Sequence, residues 1–192
     1  MKLLVACILT LIVLSPLQAR KKTPPPPLDP RITAITNIVV LPVVDARAGK
    51  KASVNLDSLR NSVVKTLDRK HYPAAAGAAA APGAEIAIED AQAASPAFIK
   101  NLGTPDQRWV FLVFLNDVVS KVTFGSTGNA QMSGFLFDKQ DAQLIWSANG
   151  VGQAGQGGLI GIGFKGMMKG EAINAAIMNL LAQLPNRPKP SK

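Results

Sequence analysis

Apolar positions along this chain switch between runs, a spacing of two and a spacing of three to four, and the switches set out an order of elements. Ile38, Val39, Val40, Leu41, Val43 and Val44 form an almost unbroken run rich in β-branched residues, the pattern of a strand covered on both faces. Pro42 interrupts it and can donate no ladder hydrogen bond, so it belongs at a strand end or an unpaired edge. Leu56, Leu59, Val63 and Leu67 then recur at helical spacing behind two cap candidates, Ser53 and Asn55. Asp57 in the first turn and Arg69, Lys70 and His71 near the end complement the backbone dipole of that helix.

Residues 73–83 are alanine, proline and glycine with no apolar period, which reads as a flexible connection. Ile86 and Ile88 alternate with polar neighbours over 85–89 and suggest a short strand. Ser95 followed by Pro96 starts a short helix that carries Phe98, Ile99 and Leu102 and stops at Gly103. Residues 109–115 are unbroken apolar sequence, continued by Val118, Val119 and Val122, and predict the central strand. A turn at 125–128, a strand at 131–137, a polar turn at 138–141 and a strand at 143–147 follow as an antiparallel meander. Residues 150–170 are glycine-rich. Ile173, Ala176, Ile177, Leu180, Leu181 and Leu184 then make one helical stripe before Pro185 ends it.

The expected fold is therefore α/β, a mixed sheet of about five strands built as β-α-β-α and then a β meander, with a C-terminal helix and the helices packed on the sheet. One domain over residues 32–185 accounts for the length of 192 residues. Residues 20–31 form a basic leader with four consecutive prolines, an extended spacer. Residues 186–192 form a basic tail.

The first residues change the picture. Lys2 precedes an apolar run from Leu3 to Leu17, broken by Ser15 and Pro16 and followed by Gln18 and Ala19. That is the layout of a secretory signal over residues 1–19, and the run of about 15 residues is shorter than the roughly 20 that a spanning helix needs. An uncleaved anchor is the rival reading, since Arg20, Lys21 and Lys22 follow directly. Cys7 is the only cysteine and lies near the start of the run rather than after it, so it reads as an apolar signal residue. Cleavage after Ala19 leaves no thiol for disulfides or zinc-thiolate sites.

The formal net charge is +9, and removing residues 1–19 takes away only Lys2. Such a surplus favours anionic partners, among which an envelope protein or an anionic membrane surface ranks first and nucleic acid is excluded for want of a basic stripe with interleaved aromatics. A homo-oligomer remains open. Candidate chemistry is sparse. Gly150, Gly152 and Gly155, and again Gly161, Gly163 and Gly166 directly before a helix, have dinucleotide-fingerprint spacing, but the second set is followed by no acid and no later strand, so the context that the motif needs is absent and a plain glycine-rich loop is the reading. His71 is the sole histidine and reads as a helix-end residue. Trp109 and Trp146 read as core.

The order of elements is similar to that of the periplasmic lipoprotein superfamily of the curli secretion channel subunit and the penicillin-binding-protein activator type, including a related outer-membrane lipoprotein group. "NIVVLPVVDAR", "GFLFDKQDAQLIWSANG" and "GGLIGIGFKGMMKGEAINAAIMNLLAQLP" carry the resemblance. It implies an envelope location and no catalytic residues; the lipidated cysteine usual in such proteins is missing here. The expectation is an exported, periplasmic or secreted protein that associates with membranes or partners, with no catalytic, cofactor or metal site. The candidate contact loop is Leu159, Ile160, Ile162, Phe164, Lys165, Met167, Met168 and Lys169, apolar side chains beside lysines. The same residues folding under the sheet is the alternative. A secreted hydrolase using Asp117, His71 or Glu171 is the rival function, and an uncleaved anchored binding domain is a third.

Overall fold

A computed structural model describes residues 29–49, 53–78, 86–123, 125–157 and 165–187. The stretch expected to be an export signal, the leader up to residue 28 and residues 188–192 lie outside the described residues. A short 3-10 helix over Pro30–Ala34 leads into β1 (Ile38–Val40) and β2 (Val44–Asp45), then α1 (Leu56–Arg69), β3 (Ala74–Ala76), α2 (Ile88–Ala93) and α3 (Pro96–Lys100). Three long strands follow, β4 (Trp109–Thr123), β5 (Gly125–Asp138) and β6 (Gln143–Gly157), and α4 (Lys165–Ala182) closes the order.

The sheet is mixed and six-stranded, in the order β3-β1-β4-β5-β6, with β2 pairing β4 beyond the end of β1. β1 runs parallel to β3 and β4, whereas β4, β5 and β6 are antiparallel neighbours joined by short turns. Pro42 sits in the gap between β1 and β2, where no ladder donor is required. α1 begins at Asn55, whose side chain accepts from the Ser58 N–H at 2.8 Å, and Leu59, Val63 and Leu67 face inward as the spacing predicts. α3 is capped by Ser95 with Pro96 in its first turn.

Side-chain alternation divides the core into two layers. Ile38, Val40, Phe111, Val113, Leu115, Met132 and Leu136 share one face with α1 and α4. Val110, Leu112, Phe114, Phe135 and Phe137 share the other with Ala91 of α2 and with Ile99 and Leu102 beyond it. Trp109 and Trp146 are both buried, and Trp146 stacks on Phe111 at 5.7 Å.

Three local expectations give way to tertiary context. The connection expected over 73–83 begins with β3, where Ala74–Ala76 pairs with Ile38–Val40; residues 79–85 are outside the described set. Alanine has no pattern to reveal a strand, and the pairing comes from the exposed edge of β1. Of the strand expected at 85–89, residue 85 lies outside the described set and Ile88 and Glu89 open α2, with Glu89 and Asp90 in its first turn and the αL residue Ala94 ending it. The turn at 125–128 and the loop at 150–157 are strand, since β5 and β6 pair from Gly125↔Gly157 through to Asp138↔Gln143.

That last difference shapes the molecule. β4 has partners on its β1 side only as far as Leu115, opposite Asp45. Beyond a bulge between Leu115 and Asp117 the three long strands continue as a ribbon. α4 lies along one face of it, and there Gly128, Gly150 and Gly152 leave no room for a side chain. A Cβ on Gly152 would overlap the Ala172 carbonyl, and one on Gly150 would sit 2.6 Å from Leu180 Cβ. The glycines are a groove for a helix, not a phosphate loop, which also removes the dinucleotide reading of Gly150, Gly152 and Gly155. Of the second glycine set, Gly161 and Gly163 lie outside the described residues.

Candidate functional site

Among the described residues five aspartates are held in ion pairs by four arginines, while several other cations have no acidic partner. Arg31 bridges Asp29 at 2.6 Å and Asp141 at 3.1 Å, Arg47 pairs with Asp45 at 2.7 Å, and Arg60 pairs with Asp57 at 3.0 Å. Asp138 is fully buried and takes both Nε and Nη2 of Arg108, a fork geometry suited to a desolvated carboxylate. The Asp29 carboxyl is held below its usual range chiefly by the hydrogen bond from Arg31. Among the described residues, Lys65, Arg69, Lys100 and Lys121 have no acidic partner within ion-pair distance.

Two of these cations meet at one place. α1 covers β1 and β3 while α4 covers β5 and β6, so the two helices lie side by side on the same face with a groove of about 300 Å³ between them. Lys65 and Arg69, one turn apart on α1, form one wall, and Asn174, Ile177 and Met178 of α4 form the other. Ser62 and Thr66 line it as well, but their hydroxyls donate back to the carbonyls of Ser58 and Ser62. Met178 is 52% exposed, and so is Met167. Eleven residues apart, they project from α4 within about 20° of each other, roughly 16 Å apart along its axis.

A second concavity, of about 390 Å³, lies by the turn after β5 and is lined by Lys100, Asp106, Arg108, Lys139 and Gln140 among others. Its cations are mostly engaged. Arg108 holds Asp138, and Lys139 Nζ donates to the carbonyls of Leu102 and Thr104 at 2.5 and 2.7 Å. Burial pulls the Lys139 amine below the ordinary lysine value. The polar turn expected at 138–141 thus begins with two buried side chains, Asp138 and Lys139, whose burial has no local signal in the sequence.

The candidate contact loop is divided by the structure. Leu159, Ile160, Ile162 and Phe164 lie outside the described residues, and Lys165 opens α4. Met167 faces outward as a contact residue would, but Met168 is 3% exposed and packs into the core, as its helical phase requires. Lys169 Nζ donates to the Ser53 carbonyl and so ties α4 to the entrance of α1.

The residues of the rival hydrolase do not converge. Asp117 is exposed on the sheet face opposite α4, Glu171 is exposed on the outer side of α4, and His71 terminates α1 with φ at 67°. Its N–H donates to the Asp68 carbonyl at 2.9 Å, which makes it the left-handed residue closing the helix. Among the described residues no three His, Cys, Asp or Glu side chains gather as a metal-binding group.

No family model and no curated protein matches the chain. Among solved structures it is similar to the PelC dodecamer from Paraburkholderia phytofirmans, with 13% identity, a TM-score of 0.46, and coverage of 83% of this chain and 93% of that one. It is similar to Lipoprotein GNA1162 from Neisseria meningitidis, with 15% identity, a TM-score of 0.44, and coverage of 72% and 96%. It is also similar to the LpoB C-terminal domain from Salmonella enterica, with 12% identity, a TM-score of 0.34, and coverage of 61% and 82%.

Proposed function

We propose that this chain is an exported protein of the cell envelope that works by contact rather than catalysis, docking on an anionic membrane surface or on an envelope protein. The observation that carries the reading is the net positive charge of +9, which pairing inside the fold does not remove. The ion pairs engage five aspartates and also four arginines, and Lys65, Arg69, Lys100 and Lys121 stand exposed with no acidic partner among the described residues. A surplus presented this way attracts anionic surfaces from a distance and loses that attraction as salt rises. The separation of Asp117, His71 and Glu171 over different elements supports a binding role over hydrolysis, and the secretory layout of residues 1–19 supports the compartment. Among the described residues no helix is long and apolar enough to cross a membrane.

The test is sedimentation of the exported product with vesicles of phosphatidylglycerol or phosphatidylcholine, alongside affinity capture from the envelope fraction. Binding to the anionic vesicles that falls with salt supports the membrane arm, and capture of one defined envelope protein supports the other. Neither result appearing at low salt would remove the reading. A product beginning at Arg20 supports export with cleavage, and intact Met1-bearing protein in the soluble cell extract overturns it.

A further inference from the structure

We infer that the groove between α1 and α4 holds the headgroup of an anionic phospholipid, with Met167 and Met178 set into the acyl boundary beside it. This rests on the contact reading above and names its membrane site. Lys65 and Arg69 stand one helical turn apart on the same wall, and no acidic side chain among the described residues pairs with either. Two such cations at a lipid surface supply a phosphate with the point charge of an ammonium and the planar donors of a guanidinium. Asn174 adds an amide on the facing helix, and Ile177 floors the groove with apolar surface.

The surroundings fit a membrane better than a dissolved anion. Met167 and Met178 are two of the three large apolar side chains found exposed among the described residues, and both lie on the outer stripe of α4. The apolar sequence of residues 159–164 runs into the end of α4 that carries Met167. Cations flanked by exposed apolar side chains are the makeup of an interfacial surface. Glu171 lies between the methionines on the same stripe and opposes the arrangement. Its removal therefore strengthens binding if the assignment is right.

The experiment uses the exported product and vesicles of phosphatidylglycerol mixed into phosphatidylcholine, at about 0.15 M salt, where charges farther than roughly 8 Å from the surface are screened. The K65Q/R69Q variant is compared with K100Q/K121Q, which removes the same charge from α3 and from the opposite sheet face. The expected result is a loss of about tenfold or more for K65Q/R69Q, a change under about threefold for K100Q/K121Q, a several-fold loss for Met178→Ser, and a gain for Glu171→Gln. Denaturation midpoints of the four variants confirm folding. Equal loss in the two double variants means attraction by net charge alone and overturns the groove while leaving the contact reading standing. K65Q/R69Q binding like the parent overturns it too, and no binding by the parent removes the membrane arm of the reading along with the groove. Displacement by millimolar glycerol phosphate shows a site for a free phosphate ester and overturns the membrane assignment.

Discussion

Gly152 of β6 lies directly beneath the Ala172 carbonyl of α4, with no space between them for a methyl group. Further along the helix, Gly150 stands in the same relation to Ala176 and Leu180. The helix is therefore seated on backbone, and its position over the ribbon depends on hydrogen atoms at two strand positions that would otherwise favour a side chain.

Gly152→Ala is expected to cost about 2–3 kcal/mol or more, because the neighbouring atoms are backbone and cannot swing aside. Gly155→Ala is the matched control, since its nearest contact would be Thr127 Cγ2 at an ordinary 3.6 Å. It should change stability by less than about 0.5 kcal/mol. Urea midpoints of the two variants separate close approach from general strand propensity.

Asn179 of α4 and Gln183 just beyond its end reach over the last strand of the sheet. Their amide nitrogens donate to the carbonyls of Val151 and Asn149, each at 2.7 Å. Those acceptors would otherwise offer a template to a strand from another molecule. The N179A/Q183A double variant should lose about 1 kcal/mol for each bond and associate more at high concentration. Sedimentation velocity over a concentration series reads the second effect; an unchanged monomer fraction would dismiss the protective role.

Tyr72 is buried beneath the end of α1, and its hydroxyl donates to the Pro185 carbonyl at 2.9 Å. The Arg187 N–H donates to the Lys70 carbonyl beside it, so the segment after α4 is tied to the turn after α1. Tyr72→Phe should cost about 1 kcal/mol and speed amide exchange at Arg187. Burial also pushes the phenol above its ordinary value, which the alkaline absorbance titration of the tyrosine checks.

Lys139 gives a pH dependence of defined sign. Burial lowers its folded value below that of the unfolded chain, so between the two values the unfolded state binds more protons. Stability therefore rises with pH across that window, which lies below the ordinary lysine value of 10.5. Lys70, lowered by the same cause, acts in the same direction. Urea midpoints should climb for the parent from pH 8 to 9, before ionisation of Tyr72 in the unfolded chain, ordinary value 10.0, acts in the opposite direction, and Lys139→Met should be less stable throughout with a shallower slope. An identical slope in the variant would contradict the shifted value.

How much of this was legible varies with the range of the forces involved. The caps at Asn55 and Ser95, the stripe of α1, the buried run of β4 and the apolar stripe of α4 are written in spacing and in charge at helix ends, and each stands where the pattern puts it. Those features need only neighbours within a turn or two. Of the residues grouped as a contact loop, Met167 is exposed and Met168 is buried, and the helical phase that separates them is fixed only by where α4 starts. The α1–α4 groove carried no signal at all, because Lys65, Arg69 and Met178 are brought together by two helices more than a hundred residues apart in the chain.

By itself, then, the amino-acid order determined the α/β character, the helices with apolar stripes and the meander, since periodic burial follows from local geometry. Tertiary structure decided the rest. Alanines 74–76 became a strand because β1 had an edge to offer, and residues 150–157 became one because small residues at 148, 150, 152 and 154, two apart, let a helix lie against the backbone. A side chain that is absent has no hydropathy to read, and its meaning appears only when another element occupies the space.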